Sequence, residues 1–131
     1  MTMSKNDIVS VVESGSSLYK GKGVSEAEIT KAEAELNVNF ADDFRVFLGR
    51  YGYAMINGHE ILGLGESPDL IEATKAERAK GHDIDDGWYV VEELNIDGIV
   101  VWQEASGAIY QTVAGARRVP VARNLSEYLS R

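Results

Sequence analysis

The chain has 131 residues, 44% of them hydrophobic and 26% charged, the size and balance of one soluble globular domain with no room for a second. No run reaches the roughly 18 apolar residues of a membrane span, and the first residues, with Asp7 and Glu13 flanking a short apolar patch, do not read as a secretory leader, so a cytoplasmic site of action is expected. The absence of cysteine excludes disulfides, a thiol nucleophile and thiolate-held metal, and a net charge of −8 disfavours nucleic acid as a partner, because affinity for phosphate comes from Lys and Arg.

Residues 4–14 read as a short helix: Ser4 and Asp7 make an S-x-x-D start, and Ile8, Val11 and Val12 share a face. The stretch from Gly15 to Gly23 reads as a flexible linker. Its Gly15, Gly21 and Lys22 do not make a phosphate loop: the spacing is one residue too long, Gly23 stands where Ser or Thr would bind magnesium, and no strand precedes it.

Val24 to Gly52 predicts two consecutive helices around which the rest is organised. Ser25 is a good N-cap, Glu28 three residues on completes a capping box, and Val24 can staple onto Ile29. Ile29, Ala32 and Leu36 form one apolar stripe, with Asn37 as the stop. The second helix starts near Ala41, with Asp42 and Asp43 in the first turn where the helix dipole favours acid. Phe44, Phe47, Leu48 and Tyr51 fall at i, i+3, i+4 and i+7, and Gly52 closes the helix.

Residues 53–64 predict a hairpin about Asn57-Gly58, since both turn positions need positive φ. Ser67 as cap with Pro68 at the first helical position opens another helix, in which Leu70, Ile71 and Thr74 face inward, Lys75, Glu77, Arg78 and Lys80 face out, and Gly81 is the stop. Residues 88–94, 98–103 and 108–113 predict antiparallel neighbouring strands, with residues 117–122 as a last edge strand that suits Pro120. Asn124 then caps a terminal helix, with Glu127 at its third position and Leu125, Tyr128 and Leu129 docking inward. Together these elements make a single α+β domain with a mainly antiparallel β-sheet packed by helices on one side.

The capped helix, the aromatic-rich helix ending in Tyr-Gly and the hairpin ending near a glycine resemble the SUKH superfamily of bacterial immunity proteins. The matching residues are Ile29, Glu33, Leu36, Phe44, Phe47, Leu48, Gly52 and Gly63, with Leu125, Tyr128 and Leu129 as the closing cluster. Residues 1–22 then form an N-terminal helix and linker, and 23–131 the family-like core. One departure is Ala41, where members usually open the second helix with proline. The resemblance implies a cytoplasmic binder that neutralises a cognate toxin, often a nuclease; an adaptor that binds a host protein is the alternative that it also suggests.

The residues themselves point to no cofactor, no metal and no catalytic set. His59 and His82 are separated in sequence with no His or Cys companion, and each reads as a solvated or locally hydrogen-bonded histidine. No serine sits in a G-x-S-x-G elbow. A calcium loop starting at Asp83 would need Glu at its twelfth position, where Leu94 stands. The charge distribution is more informative: residues 82–104 hold seven carboxylates and no Lys or Arg. Asp83, Asp85, Asp86, Glu92 and Glu93, with Trp88 and Tyr89 as aromatic anchors, are the candidate docking patch for a basic protein partner such as a toxin.

Overall fold

Several of the helix starts are set by local side-chain hydrogen bonds. In the computed structural model, which describes residues 7–65 and 69–131, helix α1 (Asp7–Ser14) precedes strand β1 (Ser17–Lys20) and helix α2 (Glu26–Leu36). The predicted capping box opens α2: the Ser25 hydroxyl accepts from the Glu28 N–H while the Glu28 carboxylate accepts from the Ser25 N–H. Asn37, left-handed at φ 56°, closes it. Helix α3 (Asp42–Arg50) follows and ends at Gly52, which takes the φ of 71° that a side chain would resist.

The antiparallel strands fall into two sheets. β1, β2 (Ala54–Ile56) and β3 (His59–Ile61) form one, in that order; β4 (Tyr89–Glu93), β5 (Val100–Gln103), β6 (Ile109–Thr112) and β7 (Val119–Ala122) form a meander. The Leu62 N–H donates to the Val91 carbonyl at 2.8 Å and so joins the exit of β3 to β4. Helix α4 (Leu70–Arg78) packs on α2 and β4, while α5 (Leu125–Leu129) packs on α1, α3 and β7. Among the described residues no helix is long and apolar enough to cross a membrane.

Three expectations need correction. The segment after Gly15 is not a free linker, because Ser17–Lys20 pairs with β2 and is tied further by the Glu13 carboxylate, which accepts from Lys20 at 3.3 Å and from the Tyr51 hydroxyl at 2.7 Å. Burial, with Glu13 as acceptor, pushes the Tyr51 hydroxyl up to about 12. Helix α4 is capped by Asp69, whose carboxylate accepts from the Glu72 N–H, so Asp69 precedes the first turn; Ser67 and Pro68, like Ser4, lie outside the described residues. Glu77 is buried, not solvated, because His82 and Lys80 fold back onto its carboxylate.

The core is built from the stripes that periodicity picked out. Ile29, Leu36, Phe44, Phe47 and Leu48 are all buried, and Phe40, Phe44 and Tyr89 meet ring to ring with centroids 4.9–5.3 Å apart. Burying each such side chain stabilises the fold by roughly 2 kcal/mol before entropy is counted. Within this apolar mass lies a closed polar network. Tyr89 accepts from the Ala41 N–H at 2.9 Å and donates to Gln103 Oε1 at 2.8 Å. Gln103 Nε2 donates to Asp43 Oδ1 at 3.1 Å and to the Gly107 carbonyl at 3.0 Å, and Asp43 Oδ2 accepts from the Leu125 N–H at 2.7 Å. Among the described residues no buried side-chain nitrogen or oxygen lacks a partner.

Close backbone contact makes Gly63 indispensable. A Cβ on Gly63 would stand 1.4 Å from the Gly52 carbonyl oxygen, whereas one on Gly49, in α3, meets nothing within 4 Å. Gly63→Ala is expected to lower stability by about 3 kcal/mol, and Gly49→Ala to raise it by roughly 0.5–1 kcal/mol. Urea titrations read both, and a Gly63→Ala protein as stable as wild type contradicts this packing. Burial holds the Asp43 carboxyl above its usual range, against the pull of the Leu125 and Gln103 hydrogen bonds. A raised folded pKa adds stability that is fully present below the unfolded value, about 3.9, and is lost as pH rises through the folded value. Asp43→Asn turns an amide N–H toward one of two donors and is expected to cost about 1–3 kcal/mol at pH 7, with the gap to wild type widening toward pH 4. A gap that narrows on acidification refutes the assignment.

Candidate interaction surface

The acidic segment begins where α4 ends. Gly81, at φ 82°, turns the chain, and His82 plants its ring in the fold beside Trp102 at 5.6 Å. The His82 side chain is only 2% exposed. Its Nε2 lies 2.8 Å from Glu77 Oε1 and its Nδ1 2.7 Å from Thr112 Oγ1, which also accepts from the Trp102 indole N–H at 2.7 Å. Burial works against ionisation of Glu77, but hydrogen bonds from Lys80 and His82 outweigh it and hold its carboxyl below the usual range. The loop that follows is therefore anchored at its first residue by a buried ring.

Asp83, Asp85 and Asp86 stand exposed on this loop, as the charge pattern predicts. Two of them are already engaged. Arg118, from the turn between β6 and β7, donates to Asp85 through Nη1 and Nη2 at 3.0 and 2.8 Å, and to Asp83 through Nη2 at 3.3 Å and its backbone N–H at 3.0 Å. The Arg118 backbone and side-chain donors hold Asp83 below the usual carboxylate range, and the guanidinium does the same to Asp85. The segment without a single cation in sequence thus borrows one from 33 residues away. Pattern reasoning missed Arg118 because nothing local links it to the loop.

The other residues of the expected patch are distributed differently. Trp88 and Tyr89 are 1% and 0% exposed, so neither is a surface anchor in this conformation. Trp88 stacks on Tyr110 with centroids 4.5 Å apart, lies under the Arg118 guanidinium and donates its indole N–H to Glu104 at 3.0 Å. Tyr89 belongs to the central network. Glu92 is buried too: it accepts from the Tyr128 hydroxyl and from the Glu60 N–H at 2.7 Å, and lies 3.0 Å from His59 Nδ1. Burial beside the Glu92 charge pushes the Tyr128 hydroxyl well above its ordinary value. Glu93 is half-buried, and burial together with the Glu77 charge raises its carboxyl.

The physical reason lies in β4. The strand is flanked by β3 and β5 and covered by α4, and a bulge between Val90 and Glu92 breaks the simple alternation that would send Glu92 outward. Both histidines are hydrogen-bonded, but through distant partners as well as near ones: His59 to Glu92, and His82 to Glu77 and Thr112. Among the described residues no group of three or more His, Asp or Glu is arranged to hold a metal ion. What the fold assembles on its surface is a charged loop, Asp83 to Asp86, partly neutralised by Arg118 and floored by Trp88.

No curated protein matches the chain. A family model described as "SMI1-KNR4 cell-wall", SUKH_5, matches residues 5–131, so its span takes in α1 and β1 as well as the segment that resembled the superfamily. That match covers nearly the whole chain, and the protein belongs to the SUKH superfamily, within its SMI1-KNR4 family.

Proposed function

We propose that this chain is an immunity protein that binds a cognate bacterial toxin in the cytoplasm and neutralises it by occlusion, without catalysis. Membership of the superfamily supports the class of function. The observation that carries the partner is the charge the fold leaves on its surface: Asp83, Asp85 and Asp86 exposed on one loop of a chain with net charge −8. A toxin that holds phosphate, such as a nuclease, needs a basic surface to do so, and an acidic loop fits against it as an electrostatic decoy. The buried anchor at His82 keeps the loop from collapsing away, so little ordering entropy opposes docking. A regulatory or scaffolding adaptor is the second reading, favoured by the cell-wall description of the matching family.

Affinity capture with tagged protein from lysate of the source strain, at low and moderate salt, tests this reading. The expected result is one stoichiometric basic partner that is toxic when expressed alone and harmless when co-expressed with this chain. A stoichiometric partner with no toxicity moves the reading to the adaptor. With the partner in hand, Asp85→Lys combined with Asp86→Lys is expected to slow association about tenfold and to flatten its salt dependence; unchanged kinetics remove this loop from the interface.

A further inference from the structure

The place that Arg118 occupies is built for a guanidinium. Two carboxylates, Asp83 and Asp85, receive Nε, Nη1 and Nη2 at 2.8–3.4 Å, and the Arg118 Cζ stands 4.6 Å from the centroid of the Trp88 ring. Tyr110 stacks on the same indole at 4.5 Å, so the two groups take its two faces and Trp88 is sealed. Paired carboxylates with an aromatic face are the combination that recognises arginine from any chain.

The clasp is surface chemistry, with Arg118 30% exposed and Asp83 and Asp85 44% and 60% exposed. Ion pairs in such surroundings contribute little to stability and exchange readily with other charges. Beside the Arg118 contacts, a backbone hydrogen bond from the Gly115 N–H to the Gly81 carbonyl at 3.2 Å joins the β6–β7 turn to the start of the acidic loop. Glycines at φ 82° and 88°, Gly81 and Gly87, bound the loop, and a hollow of about 750 Å³ lined by Gly81, Asp83, Gly115, Ala116, Arg117 and Arg118 lies beside it.

We infer that Arg118 is an intramolecular gate on the acidic loop: it holds the position that an arginine of a basic protein partner takes on docking, and its release uncovers Trp88. This rests on the reading of Asp83 to Asp86 as the partner-facing loop. Two consequences follow from the geometry. A diffuse positive charge cannot replace the bonds and ring contact that Arg118 makes, whereas an arginine can, so the gate rejects basic surfaces that lack one. Affinity is also reduced by the fraction of molecules in which the gate is closed.

A nona-arginine peptide is the probe, titrated calorimetrically into the intact chain, with Arg118→Gln compared against Arg117→Gln. Both variants lose one positive charge, but Arg117 is exposed outside the clasp. If the loop is open about a tenth of the time in the wild type, Arg118→Gln binds the peptide about tenfold more tightly, and Arg117→Gln gains far less. The peptide also shifts the Trp88 indole N–H resonance, with that of Trp102 as internal reference. Equal gains in the two variants overturn the gate while leaving the loop as a docking surface. Failure of folded Arg118→Gln to bind, or binding that leaves the Trp88 resonance in place, removes the loop itself and with it this part of the proposed function.

Discussion

The carboxylate of Asp43 is the constraint on which the rest of the structure depends. An acid at the start of a helix normally faces water, where the dipole is enough to explain it. Here it is sunk between α3, β5 and α5, and its two oxygens are spent on Gln103 and on the first N–H of α5. Gln103 in turn holds Tyr89 and the β5–β6 turn, and Tyr89 takes the Ala41 N–H at the start of α3. The circuit closes on itself. Apolar packing would tolerate small slips between these elements, but a chain of buried hydrogen bonds tolerates none without orphaning a donor or an acceptor. The aromatic cluster supplies the stabilisation, and this circuit selects the one arrangement in which the helices sit on the sheet.

Much of the fold was legible because its signals are local. Ser25, Glu28, Asn37, Asn57-Gly58, Gly81 and Asn124 act within four residues of themselves, and each performs in the structure the task its chemistry suggests. The strands of the meander follow from short turns, which force neighbours to be antiparallel. What sequence could not reveal depends on distant partners. Ser17–Lys20 carries no strand pattern, since all four residues are exposed, and it becomes a strand because β2 offers it an edge. The burial of Glu77 and Glu92 is decided by His82, His59 and Tyr128, none of which a periodicity argument can bring to them.

The candidate surface shows the same division. That the loop after α4 is acidic and exposed could be read directly. That its carboxylates are half-neutralised could not, because Arg118 arrives through two hairpin turns. Trp88 and Tyr89 stood beside the acids in sequence and so looked like anchors for a partner; in space they anchor the protein to itself. Run-based charge counting therefore overstates the local field. It treats seven carboxylates as one surface, when Glu92 is buried, Glu104 is bonded to Trp88 and Ser106, and only the loop carboxylates and Asp97 stand in the open.

The short helix α5 receives long-range support out of proportion to its five residues. Asp43 caps its first N–H, Asn57 donates to the Leu129 carbonyl at 2.9 Å while holding the Ser16 N–H, and Tyr128 reaches Glu92. Each of those partners is made far earlier on the ribosome, Asp43 coming 82 residues before the Leu125 N–H that donates to it. During synthesis the sheet and the helix pair can collapse, but the Asp43 and Glu92 carboxylates each lack one native hydrogen bond, from Leu125 and from Tyr128, until residues 125–129 emerge. The domain is thus built to lock late, with its last turn of helix acting as the keystone that makes a compact intermediate into a native one.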